Sequence, residues 1–202
     1  DGYPVAVVEP PSGDLSATLA AIAGIVAAPT APRPHVVVGS DTGALAAVVA
    51  ALEDPEVDAL VLAGLPAGAA QAGRALSWEH ELEARTTCPV HRNRLSGDLL
   101  TRGALADPVP VDWAGRARLD ELATPVLALH GEQDEISPLA VAQETYELAP
   151  ALELHGVADG RHDVLNDKSH RSVAATVVLF LERLRAGAPS TPIVARLAGG
   201  PS

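Results

Sequence analysis

Asp41 stands in the run His35-Val-Val-Val-Gly-Ser-Asp-Thr-Gly-Ala44, where an apolar stretch enters a glycine-flanked turn and then an Ala/Leu-rich segment. Small residues two before and two after a position, here Gly39 and Gly43, let a strand turn sharply into a helix and lift the side chain between them above a sheet. The helix start aims backbone N–H groups and the positive end of its dipole at that side chain, favouring an ionised carboxylate or a developing oxyanion. Asp41 is therefore a candidate nucleophile, with the ordinary duty of capping the helix as the alternative. A second acid, Asp134, follows the apolar run 125–130 in a short loop before Pro138. Ligand-facing residues of open α/β sheets collect at such carboxyl ends of strands, although neighbouring Glu132 and Glu135 show that solvated acids also occupy this loop. A third candidate, His162, sits in a glycine-containing loop after the run 152–157, where plain surface exposure is the simpler reading. His130 and His155, at strand ends, read as structural. Taken together, elbow residue, acid and histidine each follow a separate strand, in the chain order of hydrolases built on a nucleophile elbow.

The elements that must position these residues alternate between short β-branched runs and longer Ala/Leu-rich segments, a pattern of parallel strands with crossover helices. Strands are predicted over 5–9, 35–39, 58–62, 125–130 and 152–157. Each is almost continuously apolar, as befits strands covered on both faces. Helices are predicted over 14–28, with Ser12 or Asp14 as cap, and over 42–52, 138–148 and 170–185. The last carries Val173, Val177, Phe180 and Leu184 on one stripe. The fold class this implies is α/β, doubly wound around a mostly parallel sheet. Residues 66–123 break the alternation and are expected to form a small helical lid inserted between core segments 1–65 and 124–186. The Pro/Gly/Ser-rich stretch 187–202 is expected to be a loose tail.

Composition narrows the function classes. A chain of 202 residues that is 48% hydrophobic can bury a single core. Its formal net charge of -12 opposes binding to nucleic acid or anionic membranes, and no apolar run is long enough to span a bilayer. A soluble, cytoplasmic protein acting on a small molecule is expected, and its oligomeric state is left open. The chain has no methionine and begins at Asp1, so it is expected to be trimmed or part of something longer. The lone Cys88 forms no internal disulfide. His80, Cys88 and His91 lack the second spaced pair of a zinc site, and the acids near His162 read as a helix-start cluster. The Gly39–Gly43 turn lacks the residues of a phosphate or dinucleotide loop. No metal and no cofactor are expected.

Over residues 3 to about 185 the sequence resembles the α/β-hydrolase fold superfamily. Residues 2–9 resemble a core strand, 36–44 the elbow, 125–138 the acid strand and loop, and Gly160-Arg-His-Asp-Val-Leu-Asn-Asp167 the histidine loop, the last most similar to lysophospholipase and monoacylglycerol lipase relatives. The resemblance implies Asp41 as nucleophile, Asp134 as orienting acid, His162 as base and the Thr42 N–H as one oxyanion donor. No G-x-S-x-G occurs; Ser40 falls one residue early for the nucleophile and is left as a substrate-side contact. Aspartate in the elbow frame is similar to epoxide hydrolases and dehalogenases of this fold, which implies a carboxylate attacking carbon. Trp78 or Trp113 would then serve as halide donors, and the lid lacks the tyrosines that protonate an epoxide oxygen. The strands that precede the 2–9 segment in the superfamily, and the loop that supplies the second oxyanion donor there, are not found; if the chain is complete, that donor is expected from the 9–13 loop. The competing reading is a relative without hydrolytic turnover: a lyase or cyclase using His162 and Asp134, a weak esterase, or a non-catalytic binding protein.

Overall fold

The computed structural model describes residues 2–8, 13–29, 31–67, 77–97, 101–195 and 197. Four strands, β1 (Val36–Ser40), β2 (Ala59–Ala63), β3 (Val126–Gly131) and β4 (Leu152–Val157), form a wholly parallel sheet in the order β1-β2-β3-β4. The register pairs Val38 with Val61, Leu62 with Ala128 and Leu129 with His155. A parallel sheet needs a crossover between each pair of strands, and α2 (Thr42–Glu53) and α6 (Leu139–Tyr146) supply two of them. Two further helices flank the core: α1 (Leu15–Val26), capped by Asp14 through the Ala17 N–H at 2.9 Å, and α7 (His170–Arg185).

The period-two alternation of a strand decides which residues meet which layer. Leu60, Leu62, Val126 and Ala128 face one side and pack with α1, α2, Trp113 and Tyr146. Ala59, Val61, Leu127 and Leu129 face the other and pack with Val173 and Phe180 of α7. β2 and β3 are buried along their whole length, which is why they are uninterrupted apolar runs.

Between β2 and β3 lies a helical insertion made of α3 (Trp78–Arg85), α4 (Pro89–Leu95), α5 (Val111–Arg116) and two short 3₁₀ turns, Ala104–Ala106 and Leu119–Glu121. Ser77 caps α3 by accepting the His80 N–H at 3.2 Å. The strand predicted over 5–9 does not form: residues 5–8 have no ladder partner, Val5 and Val7 are exposed, and Glu9 lies outside the described residues. An apolar run becomes a strand only where a neighbour completes its hydrogen bonds, and among the described residues none pairs with 5–8. The Ser12 cap and most of the 9–13 loop also lie outside the described residues. Among the described residues of the tail there is no helix or strand, and no described helix is long and apolar enough to cross a membrane.

Candidate active site

β1 ends in the turn that carries Asp41. The residue has φ 53° and ψ −131°, a left-handed conformation that costs a non-glycine residue of order 1–3 kcal/mol and persists only where its surroundings impose it. Its N–H donates to the Ala63 carbonyl at 3.0 Å, and its carbonyl accepts the Ala44 N–H at 2.8 Å. The two flanking glycines are unequal. A Cβ at Gly39 would run into the Gly43 backbone, whereas a Cβ at Gly43 would meet nothing within 4 Å. Asp41 occupies the N-cap position of α2, yet its side chain makes no capping hydrogen bond. The carboxylate instead lies against the Thr42 N–H and faces His162. Burial pushes its pKa up, but His162, the Arg85 charge and the Thr42 N–H outweigh that, and the net direction is down.

Asp134, Asp41 and His162 converge from three separate loops. The His162 Nδ1 lies 2.8 Å from Asp134 Oδ2, both side chains being essentially fully buried. Asp134 Oδ1 accepts the N–H groups of Ile136 at 2.8 Å and Ser137 at 3.0 Å, so the carboxylate is held from behind by its own loop. Although burial raises its pKa, hydrogen bonds from His130, His162 and Ser137 hold it far below the usual carboxylate range. The other ring nitrogen, His162 Nε2, is buried without a hydrogen-bond partner and faces Asp41 Oδ1 at 3.7 Å. Burial disfavours the charged ring, but the two carboxylates prevail and raise its pKa to about 10. Both carboxylates thus favour the charged ring, with 40% of the Asp41 side chain open to solvent and 1% of His162.

Several residues that hold this geometry carry no signal in the sequence. Gly64 follows β2 at φ 55°, and a Cβ there would sit 2.8 Å from the His162 carbonyl oxygen. The His162 N–H donates to the Ala84 carbonyl at 3.2 Å and the Asp163 N–H to the Arg85 carbonyl at 2.8 Å, so the end of α3 is stitched to the histidine loop. Buried Asp167 accepts from the Thr86 and Thr87 hydroxyls and from the N–H groups of Thr87, Arg161 and Lys168. These donors outweigh burial and bring its pKa to about 2. Arg85, itself buried, pairs with Glu81 at 3.1 Å and Asp163 at 3.8 Å. The sequence shows Asp167 only as one acid of a helix-start cluster and gives Gly64 and Arg85 no distinguishing pattern.

The remaining candidates fall in different places. Ser40 is exposed at the end of β1, opposite Ala63. Trp78 is half-buried at the start of α3, with the Arg102 guanidinium 5.2 Å from its ring centroid. Trp113 is buried in the apolar layer with α2, and its indole N–H has no acceptor there. His80 and His91 pair with Glu135 and Asp163 respectively, and among the described residues no group of three or more His, Cys, Asp or Glu is arranged to hold a metal ion.

Comparison with solved structures gives this arrangement its frame. A monoacylglycerol lipase from Paleococcus ferrophilus superposes with a TM-score of 0.67 at 18% identity, over 83% of this chain and 74% of that one. The chain has the α/β-hydrolase fold. A thermophilic esterase matches with a TM-score of 0.57 at 21% identity, over 74% of this chain and 66% of its own. A non-heme bromoperoxidase described from Mycobacterium tuberculosis matches at 0.56 and 17% identity, over 84% and 74%. No family model matches the sequence, and no curated protein does. At these identities the likeness is one of architecture, and chemistry has to be argued from the site.

Proposed function

We propose that the protein is a hydrolase that attacks an electrophilic carbon of a small organic molecule with the Asp41 carboxylate. The observation that carries this reading is the strained Asp41, which makes no side-chain cap and faces a buried imidazole backed by Asp134. In the first step an Asp41 oxygen forms a bond to the substrate carbon, and the leaving group departs with the electrons of the broken bond. Asp41 is now a neutral ester. His162 has thereby lost one of the two carboxylates that raised its pKa, so it releases its proton to solvent water more readily, which is the proton set free overall with the leaving group, and Nε2 becomes a base. In the second step Nε2 takes a proton from water while the water oxygen adds to the Asp41 carbonyl carbon. The Thr42 N–H stabilises the resulting oxyanion, and Asp134 stabilises the re-formed imidazolium. Collapse expels the alcohol, which recovers the proton, and returns Asp41 with one oxygen from water.

A carbon–halogen bond suits this site better than an epoxide. A departing halide needs no proton, whereas an opening epoxide needs an acid. Tyr146 is fully buried with its hydroxyl engaged by the Leu65 N–H and His130, and Tyr3 is bonded to Glu182 on α7. Single turnover of a haloalkane in heavy-oxygen water, followed by digestion, should place the label in the peptide containing Asp41, and Asp41→Asn should abolish turnover. Turnover with an unlabelled peptide, or an active Asp41→Asn protein, would sink the covalent role in favour of acid/base chemistry by His162 and Asp134.

A further inference from the structure

Asp134 Oδ2 serves two buried histidines. Besides His162 Nδ1 at 2.8 Å, the Nε2 of His130 lies 3.2 Å away, with both side chains fully buried. The same Nε2 lies 2.6 Å from the Ser137 carbonyl oxygen, which can only accept, so Nε2 must carry a hydrogen. On the far side of the ring, Nδ1 is 3.2 Å from the Tyr146 hydroxyl. That hydroxyl already accepts the Leu65 N–H at 3.0 Å and so has its own hydrogen to give to Nδ1. Ser137 closes the unit by donating its hydroxyl to the Leu65 carbonyl at 2.6 Å and accepting the Ala67 N–H at 3.0 Å. The hydrogen bonds therefore run from Leu65 through Tyr146 to His130, whose one Nε2 hydrogen is given to the Ser137 carbonyl while the same N–H lies beside Asp134 Oδ2 at 3.2 Å.

We propose that His130, oriented by Tyr146, is a positioning residue that shares Asp134 Oδ2 with His162 and so limits how tightly the carboxylate holds the imidazolium. A polarised N–H beside a carboxylate oxygen draws on charge that the directly bonded donor would otherwise receive. With His130 present, His162 is oriented by Asp134 but still gives up its proton. Without it, Oδ2 belongs to His162 alone. The inference rests on His162 acting as the base. The charged groups facing His162 are Asp134 and Asp41, with Arg85 and Asp163 at the adjoining end of α3 and the histidine loop.

The test is a nitrogen NMR titration of the folded protein with isotope-labelled histidine, read without substrate. His130→Asn keeps an acceptor for the Tyr146 hydroxyl but is too short to reach Asp134, whereas His130→Gln restores an N–H near the lost Nε2. The His162 imidazolium should titrate about one pH unit higher in His130→Asn, because hydrogen bonding to the charged partner is redistributed, and return towards the wild-type value in His130→Gln. Turnover near neutral pH should fall several-fold in the first variant and recover in the second, with KM little changed. A His162 titration that stays put or moves down in His130→Asn overturns the proposal, as does equal behaviour of the two variants. If His130→Asn does not fold, the wild-type spectrum decides: hydrogen on Nε2 and none on Nδ1 is expected, and the reverse overturns it. Because the titration needs no turnover, its outcome is separate from that of Asp41→Asn, which tests the nucleophile.

Discussion

At the scale of residues, the proposed mechanism gives the two carboxylates around His162 different duties, in keeping with their different surroundings. Asp134 is buried, anchored through Oδ1 by two backbone N–H groups, and bonded to Nδ1. Asp41 is partly open, strained in its backbone, and lies 3.7 Å from Nε2. The first can orient and the second can attack. Asp134→Asn should separate the two steps. Its amide cannot stabilise the imidazolium, and loss of such a carboxylate in a triad lowers turnover on the order of 10⁴-fold. Asp41 keeps its charge in this variant, so formation of the ester should survive. The expected result is a burst of about one leaving group per protein molecule followed by near-arrest, with the ester visible as added mass on the Asp41 peptide. Steady turnover without a burst at the wild-type rate would remove Asp134 from the mechanism.

At the scale of elements, the elbow depends on how closely β1 approaches the start of α2. Gly39→Ala puts a methyl into the Gly43 backbone, and overpacking against groups that cannot yield costs about 1–3 kcal/mol. In a chain of this size that lowers Tm by about 2–4 °C per kcal/mol, and turnover should fall further than stability because the turn that aims Asp41 must shift. Gly43→Ala has free space and should leave Tm unchanged or slightly higher. Equal losses in the two variants would contradict the asymmetry of the turn. The sequence made both glycines look equivalent, since it shows spacing but not approach. It was most informative about position: β4 and α7 form over the residues their patterns predict, and β1, β2 and β3 within a residue at each end, although the edge strands β1 and β4 are half-exposed and only β2 and β3 are covered on both faces as expected. It failed at residues 5–8, where apolar composition was present but no neighbouring strand completed the ladder. The convergence of Asp41, Asp134 and His162 was legible through their order after the separate strands β1, β3 and β4. Gly64, Asp167 and the His130–Tyr146 pair were not, because their roles arise from contacts between segments far apart in the chain.

At the scale of the whole molecule, the site ties stability to pH from both directions, because the insertion, the acid loop and the histidine loop meet there. Asp41, Asp134 and Asp167 all have pKa values below the ordinary 3.8 of aspartate, Asp167 near 2. A carboxylate lowered in the folded state contributes stability above its unfolded value, and that stability is lost as pH falls through the folded one. His162 acts in the opposite sense, being raised from 6.5 to about 10. Its contribution is complete below 6.5, declines as pH rises, and is gone above about 10. The two windows overlap between the aspartate and histidine reference values, so Tm should be highest at pH about 4 to 6.5 and should fall between pH 7 and 10, well before arginine or lysine titrates. Because the groups involved are largely buried, salt should change this profile little. Asp41→Asn removes one of the two carboxylates that raise His162, so the alkaline decline should begin at lower pH and be smaller in total. A Tm that is flat from pH 6 to 10, or an Asp41→Asn profile superimposable on the wild type, would mean that the imidazolium is not held between the two carboxylates.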